Sequence, residues 1–401
     1  SKNSDTKVFR FACELYEPVD KNVLQNALDM TVESFPLYKS IIKSGLFWYY
    51  FEGSHFKAEV TEEKLPPCAA LYNKNNKGLL FRVMYYKKRI SFEVYHALSD
   101  GAGALQFFKT LIFHYVIMKN EYRFKDRVPV LDIDASNTQK MDDSFQKYYS
   151  GKQSGVKKKG IKAFKLRGPK VPEYRVSVIE GILPVDCTLA KAREYKASLT
   201  VFLASILMMA INEEIPLRLK KRPVVLSIPV NLRNYYNSQT ARNFFGVINV
   251  GYDFSAGSSE LQDVVDSLKN SFKENLRHEH LENRINMLSS LEHNYVLRAV
   301  PLFIKDVALR IANSIADKSY TSTLSNVGVV NMPDEVKPFI SSFDVFVSTN
   351  KLQACVCSYE NRLRISFTSA FVSTEVQRRF FKTLTDLGIP VTIESNVVHE
   401  E

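Results

Sequence analysis

Hydrophobic and polar positions alternate over residues 8–16, the two-residue rhythm of a strand with one buried face. Asp20 comes next as a side chain able to cap a helix. Val23, Leu24, Ala27, Leu28 and Val32 then recur at helical spacing until Pro36 stops the pattern. The aromatic segment GLFWYYFE, residues 45–52, reads as a strand, and residues 79–86 and 89–95 read as a hairpin joined through Lys87 and Lys88. His96 therefore stands at a strand end. Gly101 and Gly103 punctuate the chain just beyond it, and a helix predicted over 104–118 carries Leu105, Phe108, Leu111, Ile112 and Tyr115 on one face.

Apolar density falls from 132 to 172, where the stretch SGKQSGVKKKG, residues 150–160, has the composition of an exposed linker. Beyond it the pattern predicts strands over 175–183, 223–229 and 244–252, and helices over 189–195, 199–211, 260–276 and 300–315. Strands return at 322–330, 343–347, 354–359 and 363–370, before a helix at 374–387. Both halves mix strand with helix, so the expected class is α/β, each half a mixed sheet covered by helices.

Composition narrows the range of functions. At 45% hydrophobic and 24% charged the chain is ordinary globular protein, which excludes collagenous, disordered and disulfide-scaffold classes. Its 401 residues exceed what one core usually serves, so two domains or two lobes are expected. The 54 Lys+Arg against 43 Asp+Glu leave a net charge of +11, which favours an anionic partner: nucleic acid, an acidic membrane surface, or a phosphorylated small molecule. The five cysteines form no C-x-x-C pair and sit in apolar stretches, so they read as reduced, buried thiols of a cytosolic protein. The first ten residues lack a signal core and the apolar run 201–211 is too short to span a bilayer, so a soluble cytoplasmic protein is expected.

The sharpest chemical feature is SFEVYHALSDG, residues 91–101. In a chain of this composition His and Asp fall at that spacing by chance about 0.3 times, and a Gly directly after the Asp lowers this to about 0.01. A histidine at a strand end has its ring aimed in one direction, and imidazole ordinarily titrates near neutrality, which suits a general base. The alternative is a hydrogen-bonded core histidine beside a turn. Asp100 is placed to brace the loop by binding a buried arginine, and Gly101 to let the chain turn where a side chain would clash.

The sequence YHALSDG, residues 95–101, resembles the H-H-x-x-x-D-G signature of the acyl-CoA-dependent acyltransferase superfamily, which includes chloramphenicol acetyltransferase, plant BAHD acyltransferases and peptide-synthetase condensation domains. GLFWYYFE, GAGALQFFKTL (101–111), MDDSFQKYY (141–149), SIPVNLR (227–233), NFFGVIN (243–249) and LSNVG (324–328) together are similar to its bacterial alcohol acetyltransferase branch. The resemblance implies two chloramphenicol-acetyltransferase-like lobes with a channel between them. Residues 1–150 would form the first lobe, 151–172 a basic linker, and 173–401 the second. It implies transfer of an acyl group, acetyl above all, from coenzyme A as co-substrate to an alcohol, with His96 as base and no covalent enzyme intermediate.

By the same resemblance Asp100 pairs with an arginine. Arg233 is the first choice, with Arg10, Arg82 and Arg242 as rivals. Ser325 and Asn326 carry the S-N-x-G pattern near the channel, as donors to an oxyanion or as a β-turn. Tyr95 occupies the place of the first His, where an aromatic is characteristic of the branch. Residues 243–246 would line the cleft, Gly246 permitting close backbone approach. Phe47, Trp48, Tyr49, Phe244 and Phe245 suggest an apolar cleft, although most such rings pack a core.

Other features read more plainly. His278 and His280 fall on a charged helical stretch without neighbouring Cys or His, so no metal site is expected. Cys355 and Cys357 share one strand face as core or rim thiols. The run from Lys157 to Lys170 reads first as a solvated loop and second as a contact for coenzyme A phosphates, and it lacks the aromatics of a nucleic-acid strip. Coenzyme A thus becomes the preferred anion. Two other functions stay open: a condensation-type transferase using a carrier-protein thioester or an amine acceptor, and a catalytically degenerate binding protein.

Overall fold

The computed structural model describes residues 6–72, 78–125, 128–131, 143–151, 162–172, 176–216, 218 and 221–396. Most of the expected linker at 150–160, with Lys157, Lys158 and Lys159, lies outside the described residues. In chain order the first part contains β1 (Val8–Leu15), α1 (Lys21–Glu33), β2 (Ser40–Ser44), β3 (Tyr49–Gly53), β4 (Val60–Glu62), β5 (Phe81–Tyr86), β6 (Arg89–Tyr95), α2 (Gly101–Lys119) and α3 (Ser144–Lys147). The second contains β7 (Ser177–Pro184), α4 (Val185–Glu194), α5 (Leu199–Glu213), β8 (Val224–Asn231), β9 (Phe245–Tyr252), α6 (Leu261–Asn275), α7 (His278–His293), α8 (Tyr295–Ala299) and α9 (Leu302–Ala316). It closes with β10 (Ser322–Val329), β11 (Ile340–Val347), β12 (Leu352–Tyr359), β13 (Arg362–Ser369), α10 (Glu375–Asp386) and β14 (Thr392–Ser395).

Local chemistry accounts for the boundaries. The Asp20 carboxylate accepts the N–H groups of Asn22 and Val23 and so starts α1. The β5–β6 hairpin turns through Lys87, at φ 51°, and Lys88. The aromatic segment is shorter as a strand than the pattern predicts: β3 begins at Tyr49, because Gly45 N–H bonds the Trp48 carbonyl at 2.8 Å and closes a turn. That ribbon tip packs on α9, where the Lys305 ammonium sits 3.5 Å over the Trp48 ring. Phe47, Trp48 and Tyr49 are partly exposed there and do not line the cavity that holds His96.

Two mixed sheets carry the fold. The first runs β11-β1-β6-β5-β4 and the second β14-β7-β13-β12-β10-β8-β9. α1 and α2 pack together over the first, where Phe92 stacks between Phe107 (4.9 Å) and Phe108 (5.8 Å). α5 is apolar on every side and buried against α6, α10 and the second sheet. β11 comes from the C-terminal half, yet it pairs antiparallel with β1, Phe11 opposite Val345. The sheets therefore do not divide at 150–173: the segment 173–401 supplies the edge strand of the first sheet. No single helix among the described residues is long and apolar enough to cross a membrane.

Candidate active site

β6 ends at Tyr95, paired with Val8, and the chain turns at once. The His96 N–H bonds the Lys7 carbonyl at 2.8 Å, and the Leu98 N–H bonds the Tyr95 carbonyl at 2.9 Å. Strand alternation sends the two neighbouring rings to opposite sides. Tyr95 stacks on Tyr72 (5.4 Å, 25°) and does not line the site cavity. The His96 ring lies 4.9 Å from Phe9 and 5.6 Å from Phe245, half-buried between them.

Asp100 anchors the turn from β6 into α2. Its Oδ1 accepts the Gly103 N–H at 2.8 Å and caps α2, and its Oδ2 accepts the Phe244 N–H at 2.7 Å. Arg233 meets both oxygens, Nη1 to Oδ2 at 2.9 Å and Nη2 to Oδ1 at 3.2 Å, with both side chains buried. The same guanidinium donates to the carbonyls of Thr240 and Arg242. The Ser99 hydroxyl bonds the Ala241 carbonyl at 2.6 Å, and the Asn243 amide nitrogen donates to the His96 and Ala97 carbonyls, each at 3.1 Å. Residues 240–244 are thereby fastened to 96–103, which sets His96 beside Phe245. The other arginines are engaged elsewhere: Arg10 and Arg82 both converge on Glu93, and Arg242 lies 3.9 Å from Asp143.

Two glycine assignments change. A Cβ on Gly101 would meet nothing within 4 Å, whereas one on Gly103 would lie 2.1 Å from the Ala241 carbonyl oxygen and 2.5 Å from Ser99 Oγ. Gly103, not Gly101, is the position where only hydrogen fits. Gly246 permits no close backbone approach, since the nearest atom to a Cβ there is a Leu232 side-chain carbon at 3.5 Å.

His96, Phe245, Ser325, Asn326 and Gln353 line one cavity of about 780 Å³, counted to its open mouth. Its walls come from both sheets: β1 and β11 on one side, β8, β9, β10 and β12 on the other. Within it the Asn326 side chain is engaged at both ends: Oδ1 accepts the Gly328 N–H at 2.9 Å and Nδ2 donates to the Thr200 hydroxyl at 2.9 Å. This is a bulged turn in β10, with Gly328 at φ 91°. Gln353 of β12, and Val345 and Val347 of β11, are lining residues that the sequence pattern does not single out, because their strands reach the site only through sheet pairing.

Cys355 lies in the wall, its thiol pushed up to about 12 by burial. Cys13, Cys68, Cys355 and Cys357 are buried, but Cys187 is exposed on the first turn of α4, contrary to the reading of all five as buried. His278 packs near Tyr236 and His280 lies 3.2 Å from Glu274. Among the described residues no group of three or more His, Cys, Asp or Glu side chains is placed to hold a metal ion.

No protein-family model and no curated protein sequence matches the chain. Solved structures do match in fold. The trichothecene 15-O-acetyltransferase of Fusarium sporotrichioides superposes with a TM-score of 0.61 at 13% identity, over 96% of this chain and 90% of that one. The first condensation domain of the CDA synthetase gives 0.60 at 13% identity, over 96% and 91%. Polyketide synthase associated protein 5 of Mycobacterium tuberculosis gives 0.60 at 12%, over 94% and 92%. The fold is the two-lobed α/β fold of condensation domains and acyltransferases, covered nearly end to end.

Proposed function

We propose that the chain is an acyltransferase that moves an acyl group, acetyl in the first instance, from coenzyme A to an acceptor hydroxyl. The observation that carries this reading is the placement of His96, held by the Asp100–Arg233 lock in a cavity walled by both sheets. Two substrates brought together there need no covalent link to the protein. His96 takes the acceptor's hydroxyl proton as that oxygen bonds the thioester carbonyl carbon. Collapse of the tetrahedral adduct breaks the carbon–sulfur bond, and the imidazolium returns the proton to the leaving thiolate. The Ser325 hydroxyl is the donor assigned to the oxyanion. Asp100 and Arg233 are positioning residues, Gly101 borders the cavity, Tyr95 supports the turn, and Asn326 shapes the wall. Free thiols throughout suit a reducing, cytoplasmic setting.

The expected result for His96→Ala is a loss of turnover of about 10³-fold with an unchanged unfolding midpoint, read as thiol release from acetyl-CoA across a panel of alcohols. Wild-type turnover in that variant removes the mechanism, and binding without thiol release in the wild type favours a degenerate binding protein. The likeness to condensation domains supports a second reading, with the acyl group delivered by a carrier protein and an amine as acceptor. Comparing acetyl-CoA with an acylated carrier as donor separates the two.

A further inference from the structure

A second cavity, of about 720 Å³ to its mouth, is lined by Lys165, Arg167, Lys170 and Lys351, with Asp317 as the acidic residue among them. Lys351 is already neutralised: its ammonium lies 2.9 Å from Asp317 Oδ1 and donates to the Asp317 and Tyr320 carbonyls. Burial, reinforced by Lys165, holds it below its ordinary pKa. Lys165 and Arg167 have no carboxylate partner among the described residues, and Lys170 bonds the Asn350 carbonyl at 3.4 Å. Three cations without a carboxylate partner among the described residues thus line one concavity, an arrangement that like-charge repulsion disfavours until an anion enters.

The two cavities are neighbours along the chain. The β11–β12 connection lines the first at Val347, the second at Asn350 and Lys351, and the first again at Gln353. On β10 and its approach, Thr321 borders the second and Ser325 the first. Four strand residues span roughly 13 Å. A pantetheine arm from sulfur to diphosphate, stretched like a polypeptide backbone, spans roughly 15 Å.

We propose that this cavity is the anion subsite for the nucleotide phosphates of the acyl donor, with Lys165 and Arg167 meeting them. The proposal rests on the reading of His96 as the base of a coenzyme A-dependent transfer. Lys165, Arg167 and Lys170 match the three to four negative charges that coenzyme A carries, at about −1 to −2 per phosphate, better than the single phosphate of a carrier-bound arm.

The test compares Lys165→Ala, Arg167→Ala and the double variant with wild type on acetyl-CoA and on S-acetylpantetheine, which lacks the phosphates. The double variant is expected to raise KM for acetyl-CoA about tenfold or more with kcat retained, and to leave kcat/KM for acetylpantetheine unchanged. Calorimetry with adenosine 3′,5′-bisphosphate is expected to show binding to wild type and about tenfold weaker binding to the double variant. Equal losses on both donors, unchanged bisphosphate affinity, or a loss confined to transfer from an acylated carrier protein overturns the subsite. If acetyl-CoA is no donor but the bisphosphate binds through Lys165 and Arg167, the subsite stands and the proposed reaction falls.

Discussion

Asp100 caps α2, receives the Phe244 N–H and neutralises Arg233, so one carboxylate at the cavity wall sets the position of His96. Asp100→Asn would leave a guanidinium buried without counter-charge, and the expected cost is about 3–5 kcal/mol in urea unfolding, with turnover lost alongside. Adding Arg233→Met should recover part of that stability and none of the turnover, because the amide keeps one acceptor oxygen where the carboxylate used two, for the Gly103 and Phe244 N–H groups, and the Arg233 ties to 240–242 are gone. The two glycines separate in the same assay. Gly103→Ala forces a methyl against the Ala241 carbonyl and should cost about 2 kcal/mol or more, while Gly101→Ala should stay within about 0.5 kcal/mol of wild type. Periodicity could not distinguish these glycines, since what excludes a Cβ at Gly103 is backbone from residue 241. The resemblance likewise named Arg233 among four arginines for Asp100, but the contact spans 133 residues and belongs to the tertiary structure.

At the scale of elements, two apolar helices of similar length have opposite fates. α5 buries Phe202 completely, so Phe202→Ala is expected to cost about 3–5 kcal/mol. α9 leaves Phe303 69% exposed, so Phe303→Ser should change stability by less than about 0.5 kcal/mol, measured by the same unfolding curves. Both helices were legible from helical spacing, as were the β5–β6 hairpin and the cap at Asp20. β4 and β14 were not, being strands of three and four residues with exposed positions and little pattern. α7 was legible only as a charged helical stretch, since charge dominates its first turns.

At the scale of the molecule, the two sheets meet around Arg364 of β13. Its guanidinium lies 3.0 Å from Glu394, 3.6 Å from Glu180 and 3.9 Å from both Asp344 and Glu14, so β14, β7, β11 and β1 all send a carboxylate to one cation. Asp344 is buried, and burial with the Glu180 charge raises its pKa to about 7 against the pull of Arg364. A carboxyl whose folded pKa lies above its unfolded one near 4 favours folding while protonated, and that advantage disappears as pH rises from about 4 to about 7. Asp344→Asn is therefore expected to stabilise the protein relative to wild type above pH 7, with the gain shrinking toward pH 4 in unfolding measured across that range. The strand exchange at β11 makes a further prediction. A fragment of residues 1–150 leaves β1 as an open edge and should lack the near-ultraviolet dichroism of a fixed core, regaining it on addition of residues 173–401.

Sequence by itself determined the strand and helix periods, the cap at Asp20 and the local turn that presents His96, because each arises from side chains a few residues apart. Only the tertiary structure decided that β11 joins the first sheet, that residue 241 forbids a side chain at 103, and that Gln353 and Ser325 share a cavity with His96. These are pairings of distant segments, set by which faces bury together, and no local pattern encodes them.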